Sequence, residues 1–521
     1  MKGQVRIIDI FAGPGGLGEG FSSFQTESNT RPFHLEVSAE KEASAHSTLT
    51  LRAFYRLLSE KEGRLPKGYL EYLRTIAPGT KKSPEQVFGK GATAPLWKQA
   101  KHEALQLTLG DEAHNRILHQ RVAAAKKTGD PLVLIGGPPC QAYSLVGRSR
   151  NAKVESFKTE GDARHFLYRE YLEILAKNSP DVFIMENVKG ILTAAVGGKG
   201  MFAQIHRDLS DPNRALKRSK HTGSGNPEYV LLPINVGNKG TRNAADAEKD
   251  PSLFVVRCEK HGVPQARHRV IIMGVRVDHQ SKALAAPGLE VVAKAASVSD
   301  ALAGLPRLRS GLSDRDDSSE DWITVVEEQR LKVARCLRKS HPEVSEVLDG
   351  VHFAQLERSA THYAKGSPSH LPDIRDPDQD VALNHQTRGH MESDLGRYLF
   401  CAAFAKVNHR SPASSEFPES LAPAHKNWKS GAFADRFRAQ VSRNPSGTVT
   451  SHLSKDGHAF IHYDPGQCRS LTVREAARLQ TFPDDYLFLG NRTQQFVQVG
   501  NAVPPHLARQ IASIVYAIVG K

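Results

Sequence analysis

The residues most able to do chemistry in this chain lie at 136–150, GGPPCQAYSLVGRSR, where Cys140 follows two prolines and precedes a polar, basic, glycine-broken run. The prolines fix the backbone just ahead of the thiol. A cysteine presented this way is a nucleophile when nearby positive charge lowers its pKa, whereas an isolated cysteine is more often inert and half-buried. Further along, Glu186 and Asn187 end the apolar run DVFIMENV (181–188). A carboxylate at that edge of a parallel sheet meets ligands, and it can donate a proton or hydrogen bond to a ring nitrogen. Its plainer reading is a strand-end acid facing water. Gln265, Arg267 and Arg269 alternate in GVPQARHRV, so in extended backbone they share one face. Guanidiniums there anchor phosphates, hold a carbonyl or lower a thiol's pKa, unless they are simply a solvated basic edge.

A second chemical signal is near the start. Gly13, Gly15 and Gly18 fit GxGxxG after the apolar VRIIDIF, and Glu40 lies 22 residues beyond Gly18 at the end of FHLEVSAE. That spacing suits a first βαβ unit binding a nucleotide, with the acid on ribose hydroxyls. Dinucleotides and S-adenosylmethionine share this geometry. Asp9, beside the turn, disfavours a pyrophosphate and suits the cationic amino-acid end of S-adenosylmethionine. An NAD-dependent oxidoreductase would leave Cys140, Glu186 and the arginines unexplained.

The elements that must position these residues follow from apolar rhythm. A strand is expected from residue 5 into the glycine turn, with further strands at 33–40, 131–137 and 181–188, and strand, turn, strand at 253–277. A largely helical, basic stretch covers 41–128, and an irregular Gly/Asn/Lys-rich insertion 193–252. Strands alternating with helices imply an α/β, doubly wound parallel sheet. After about residue 285 the rhythm is lost, and amphipathic helices return at 472–483 and 506–519. We therefore expect a catalytic domain at 1–285, a smaller irregular domain at 286–465, and a segment at 466–521 returning to the first. A chain of 521 residues is long enough for two domains.

Lys and Arg number 70 against 56 Asp and Glu, a net charge of +14 that favours a polyanionic partner. Five scattered cysteines and a histidine cluster at 352–390 without HExxH spacing suggest neither disulfides nor a metal site. The N-terminus enters a strand directly and no apolar run reaches membrane-spanning length, so a cytoplasmic location without membrane contact is expected.

In this order, DIFAGPGG, PPCQ, MENV, PQxRxR, RSLTVREAARLQTFPDDY (469–486) and QVGNAVPPHLARQIA (498–512) closely resemble the DNA cytosine carbon-5 methyltransferase family. The resemblance covers about half the chain. It implies a Rossmann-like S-adenosylmethionine-dependent domain with a target-recognition domain at 286–465. It also implies methyl transfer from S-adenosylmethionine to carbon 5 of a cytosine flipped out of double-stranded DNA, with Cys140 attacking carbon 6. By the same resemblance Glu186 contacts the ring nitrogen and amine, Arg269 the ring carbonyl, and Arg267 supports Arg269. Gln141, Ser144, Asn187 and Gln265 would lie against the substrate. Phe11, Gly13, Gly15, Gly16, Glu40, Asp111, Pro139, Leu167, Asn501 and Val503 would hold the cofactor. The basic run from Ser144 to about Arg164 corresponds to the family's mobile loop. A transfer-RNA methyltransferase shares these motifs, and a catalytically dead DNA-binding regulator would have no chemical reason to keep them all. A monomer is expected, working with a restriction endonuclease or defence-system proteins.

Overall fold

The computed structural model describes residues 4–138, 163–216, 228–235 and 244–520, apart from 78, 80–81, 194, 197–198, 314–316, 364–370, 372, 424–427 and 429–435. Eight strands form one sheet: β1 (Val5–Ile10), β2 (Phe33–Glu40), β3 (Ala104–Gln106), β4 (Leu132–Gly136), β5 (Val182–Val188), β6 (Tyr229–Leu232), β7 (Val255–Arg257) and β8 (His268–Arg276). The order is β3-β2-β1-β4-β5-β8-β6, with β7 also on β8. The first five are mutually parallel.

The sheet is not wholly parallel, as the sequence led us to expect. β8 runs antiparallel to β5, β6 and β7. Only ten residues separate β7 from β8, too few for a crossover helix, so the chain turns back as a hairpin. The 193–252 stretch also supplies more than an insertion, since β6 comes from it and forms a sheet edge. A four-residue strand between Gly/Asn-rich segments carries too short a period to be read from sequence.

Helices cover both faces. On one lie α1 (Gly16–Ser23) and the C-terminal helix Pro505–Val519, where Leu17, Phe21, Ile511 and Val515 meet Ile7, Val133 and Ile184. Gly20 lets the two helices touch: a Cβ there would stand 2.3 Å from that of Ala508. On the other lie Glu112–Lys126 and Ala163–Asn178, packing Leu118, Val122, Tyr171 and Leu175 against Ile8, Leu134 and Phe183. We number the helices used below α2 (Ala43–Glu62), α3 (Glu112–Lys126), α4 (Ala163–Asn178), α5 (Ser319–Leu337), α6 (Glu392–Asn408), α7 (Val473–Leu479), α8 (Arg492–Asn501) and α9 (Pro505–Val519). Among the described residues no helix is long and apolar enough to cross a membrane.

The region 286–465 is more regular than its sequence suggests. α5, Pro342–Asp349 and α6 share a core of Trp322, Val326, Leu337, Leu348, Tyr398 and Phe404. α6 is buried almost all round, and such a helix shows little amphipathic period. The expected irregular domain thus contains a helical core.

The motif at 469–486 is built around buried arginines. Arg469, Arg474 and Arg478 are at most 1% exposed. Arg469 donates to both carboxylate oxygens of Glu475 at 2.7 Å. Arg474 donates to the carbonyls of Leu383, Pro483 and Tyr486. Arg478 grips Asp484 and donates to the Ala301 and Ala303 carbonyls. Thr472 and Glu475 form the capping box of α7. Arg52 of α2 makes a third such knot, bonded to Glu19 of α1 and to Asp485.

His385 sits in this network. Its Nδ1 lies 2.9 Å from the Thr472 hydroxyl and its Nε2 2.9 Å from the Pro306 carbonyl. These partners suit a neutral ring that donates from Nε2 and accepts at Nδ1. Burial lowers its pKa from 6.5 to about 4, and that of His462 falls for the same first cause. Between those values an unfolded chain takes a proton that the folded one refuses, so stability is lost as pH falls below 6.5. His385 alone accounts for a loss of about 2 kcal/mol at pH 5 relative to pH 8. We expect the melting temperature to fall over that interval and the fall to be shallower in His385→Gln. Equal slopes for the two proteins would count against this role.

Candidate active site

A cleft of about 980 Å³ opens at the carboxyl ends of β1, β2, β4 and β5, where ligands bind in doubly wound sheets. The turn after β1 forms one wall. Phe11, Gly13 and Gly15 all adopt positive φ, of 55°, 58° and 97°. Gly16 permits a close approach, because a Cβ there would lie 2.2 Å from the Val503 carbonyl oxygen. Phe11, Gly13 and Gly16 line the cleft, whereas Gly15 turns away and caps α1. Glu40 reaches back to this turn: its carboxylate accepts from Gly13 N at 2.8 Å and Glu42 N at 2.7 Å.

Asp9 lies wholly buried beneath the turn. Burial raises its pKa well above the ordinary value, against an opposing pull from Arg56. It is therefore held toward its neutral form, not as the fixed anion the sequence suggested for a cationic ligand.

The second wall comes from the loop before α3 and from α4. Leu107, Thr108, Leu109 and Gly110 line the cleft, as does Leu167. Asp111 does not. Its carboxylate accepts from Ala113 N and His114 N, both at 3.0 Å, and caps α3. The cofactor contact expected of Asp111 is thus replaced by a helix cap, and the cleft is met by the residues just before it. The signal for them was in LTLGD, where an apolar stretch stops one glycine short of the cap.

The third wall carries the reactive groups. Glu186 on β5 and Arg269 on β8 form an ion pair, Nε to Oε1 2.9 Å, with side chains 16% and 14% exposed. The antiparallel register sets Arg269 opposite Val188 and Ile271 opposite Glu186. Gly137 and Pro138 also line the cleft. A Cβ on Gly137 would stand 2.4 Å from the Glu186 carbonyl oxygen, so only glycine lets the chain leave β4 this close to β5. Asn187 donates to the Pro138 carbonyl at 3.3 Å, which makes it an anchor for the segment entering PPCQ. Pro139, Cys140, Gln141 and Ser144, and the basic run after them, lie outside the described residues.

Gln265 has structural partners in place of the expected substrate ones, and Arg267, expected to support Arg269, is bonded to backbone carbonyls. Gln265 accepts from Val449 N at 2.8 Å and donates to Leu479 O and Gln480 Oε1. It is fully buried and lies outside the cleft lining. Arg267 lines the cleft, yet its guanidinium donates to Val449 O at 2.9 Å and Gly500 O at 3.3 Å. Both ends of the Val449 peptide unit are thereby held. Arg267 and Arg269 both line the cleft, as their alternation implied, but Gln265 does not: it precedes β8 and is turned into the 446–450 segment.

Val497, Gln498, Gly500, Asn501, Ala502 and Val503 close the cleft from α8 and the turn beyond it. Sequence reading found Asn501 and Val503 but missed the glutamines that fix them. Gln480 donates to the Val499 and Ala502 carbonyls, and Gln498 accepts from Thr48 of α2 at 2.7 Å. Their signal was polar residues inside otherwise apolar, fully buried runs. The thiol of Cys258, near Arg267 and Arg269, is pushed up to about 12 by burial.

The strand order 3-2-1-4-5, extended by an antiparallel strand, with a glycine turn, an acid on the second strand and a cleft at the strand ends, is that of a Rossmann-like methyltransferase fold. The C-5 cytosine-specific DNA methylase family model matches residues 96–212 and 250–516. The type II methyltransferase M.Bpa9945I of Bacillus paralicheniformis is 30% identical over 529 residues, covering 98% of this chain and 99% of that protein. M.AgeI of Thalassovita gelatinovora, another type II methyltransferase, is 28% identical over 418 residues, 74% of this chain and 82% of that one. The DNA (cytosine-5-)-methyltransferase M.ApeKI of Aeropyrum pernix is 27% identical over 420 residues, with 74% and 80% covered. The chain belongs to the C-5 cytosine-specific DNA methylase family and is an enzyme of that class.

The two readings of Asp111 separate in one variant. Asp111→Ala is expected to lower the melting temperature as a lost cap. Its affinity for S-adenosylmethionine, titrated by calorimetry, should stay within about twofold of wild type. A tenfold loss would return Asp111 to the binding site.

Proposed function

We propose that this enzyme transfers a methyl group from S-adenosylmethionine to carbon 5 of a cytosine extruded from double-stranded DNA, with Cys140 as nucleophile. The observation that carries the reading is the Glu186–Arg269 pair, held in one cleft with the glycine turn and with Pro138, two residues before Cys140. S-adenosylmethionine would supply the methyl group as a sulfonium. The cleft fits such a donor: Gly13 and Gly16 keep its wall free of side chains, Glu40 stands at the turn, and Phe11, Leu167, Asn501 and Val503 add contacts.

The Cys140 thiolate attacks carbon 6 of the cytosine, forming a C–S bond and moving the ring electrons to carbon 5. Carbon 5 would then take the methyl group as the donor's methyl–sulfur bond breaks, its electron pair staying on sulfur to leave a neutral thioether. A base removes the carbon 5 proton, the C–S bond breaks, and the thiolate is regenerated. Glu186 serves the ring nitrogen and exocyclic amine, and Arg269 the ring carbonyl; their ion pair fixes both against the strand ends. Arg267 acts as a positioning residue, through its hold on Val449 and Gly500.

Other thiols fit the role poorly. Burial raises the pKa values of Cys258, Cys401 and Cys468, and Cys336, on α5, lines no part of the cleft. We read 286–465 as the region that recognises the target sequence. The type II names of its relatives favour a modification enzyme working alongside a cognate restriction endonuclease; a cytoplasmic, monomeric enzyme is part of the proposal.

Bisulfite sequencing of DNA from cells expressing wild type or Cys140→Ala tests the reading. A methylated motif should be present with wild type, and its rate of appearance should fall by at least ~10³-fold in the variant. Equal methylation in both would remove Cys140 from the mechanism. Unmethylated DNA with methylated transfer RNA would overturn the substrate.

A further inference from the structure

Three arginines converge where the region 286–465 meets the first turn of α8. Arg492, the first residue of α8, donates to the Thr387 carbonyl at 3.0 Å. Arg358 donates to the same oxygen at 3.5 Å. With these two distances to one oxygen, the donating nitrogens are at most 6.5 Å apart. Arg388, next in the chain to Thr387, lies over the Phe496 ring of α8 and donates to the Leu453 and Lys455 carbonyls.

The charges are poorly neutralised. Asp317 is the carboxylate at the cluster, and it is shared between Arg358 and Arg309. Among the described residues neither Arg388 nor Arg492 has an acidic partner within ion-pair distance. Asp456 faces Arg388 but pairs with Arg436 and His458. The Nε atoms of Arg358 and Arg388 are buried and meet no acceptor, although Arg388 is only 8% exposed. Burial first, and then the charge of Arg492, lower the Arg388 guanidinium to about 10. Backbone carbonyls supply partial charge only, and a fold gains nothing by crowding like charges around them. The crowding has a physical reason if an oxyanion joins them.

We propose that Arg358, Arg388 and Arg492 form a clamp for a phosphodiester group of the substrate duplex. In the clamp, Arg492 and Arg358, already joined at the Thr387 oxygen, offer N–H groups not used there to the phosphate oxygens, a pairing that guanidinium geometry suits. Arg388 sets the potential from behind. α8 carries Arg492 at one end and the cleft-lining Gly500 and Asn501 at the other, about 13 Å apart at 1.5 Å per residue. A phosphate held at Arg492 would therefore be tied by one rigid helix to the wall of the catalytic cleft. The clamp rests on duplex DNA being the substrate.

The test uses the full-length protein, a labelled duplex of random sequence without methyl donor, and fluorescence anisotropy from 50 to 300 mM salt. Neutralising one phosphate contact in Arg492→Gln should reduce the slope of log K against log[salt] by ~0.9 and weaken binding about tenfold at 0.1 M. Arg492→Lys should keep most of the slope. If Arg492→Gln fails to fold, as judged by its melting temperature, Arg358→Gln replaces it, since Asp317 then keeps Arg309 as a partner. Unchanged slope and affinity in a folded variant, with wild type binding normally, overturn the clamp and leave the methyltransferase reading intact. Failure of wild type to bind duplex DNA overturns both. Stabilisation of wild type by inorganic phosphate, with no change in the DNA salt slope, would assign the cluster to a free anion and overturn the clamp.

Discussion

Buried arginines need partners, and that need organises this molecule. Removing an unpaired guanidinium from water costs several kcal/mol even after relaxation, so Arg469, Arg474, Arg478 and Arg52 can be buried only where carboxylates and carbonyls converge. The partners come from distant parts of the chain: Glu19 in the first helix, Ala301 and Leu383 in the region 286–465, and Asp484 and Asp485 beside the arginines themselves. No one of these segments satisfies the charges alone. The C-terminal segment must therefore fold against the sheet domain and the region 286–465 together.

Once it is fixed, the cleft is shaped. Tyr486 donates its hydroxyl to the Pro14 carbonyl, so the glycine turn is braced from below. Gln480, one residue past α7, holds the Val499 and Ala502 carbonyls and so presents Asn501 and Val503 to the cleft. Gln265 and Arg267 secure Val449 from the other side. Gly500 lets that strand of chain pass, since a Cβ there would be 2.3 Å from the Thr450 carbonyl carbon. Polar groups with obligatory partners, more than apolar contacts, define where the wall stands.

The Glu186–Arg269 ion pair follows a different rule. Glu186 and Arg269 come from strands that share a ladder, and a one-residue slip would send one of them to the opposite face. The antiparallel insertion of β8 between β5 and β6 is what sets the guanidinium beside the carboxylate. A parallel sheet, which the strand and helix alternation led us to expect, would carry β8 in the other direction. The motif PQxRxR thus divides its labour: Gln265 and Arg267 hold the chain that closes the cleft, and Arg269 pairs with Glu186 inside it.

By itself the sequence determined the strands that build the cleft, the glycine turn, the acid at Glu40, and the presence of Glu186 and Arg269 at the cleft. These are local signals: apolar runs, glycines where φ is positive, and residue types whose chemistry has few uses. It also made the family legible, because several such signals occur in a fixed order. Tertiary structure alone decided that β8 runs antiparallel, that β6 emerges from an apparent insertion, and that a helical core lies within 286–465. It alone decided that Asp111 caps a helix, that Gln265 clamps a backbone, and that Asp9 is buried enough to favour its neutral form. The Asp111 cap is local, its partners being two and three residues on; each of the others depends on a partner tens to hundreds of residues away or on exclusion of water, and neither is written in the spacing of neighbouring residues.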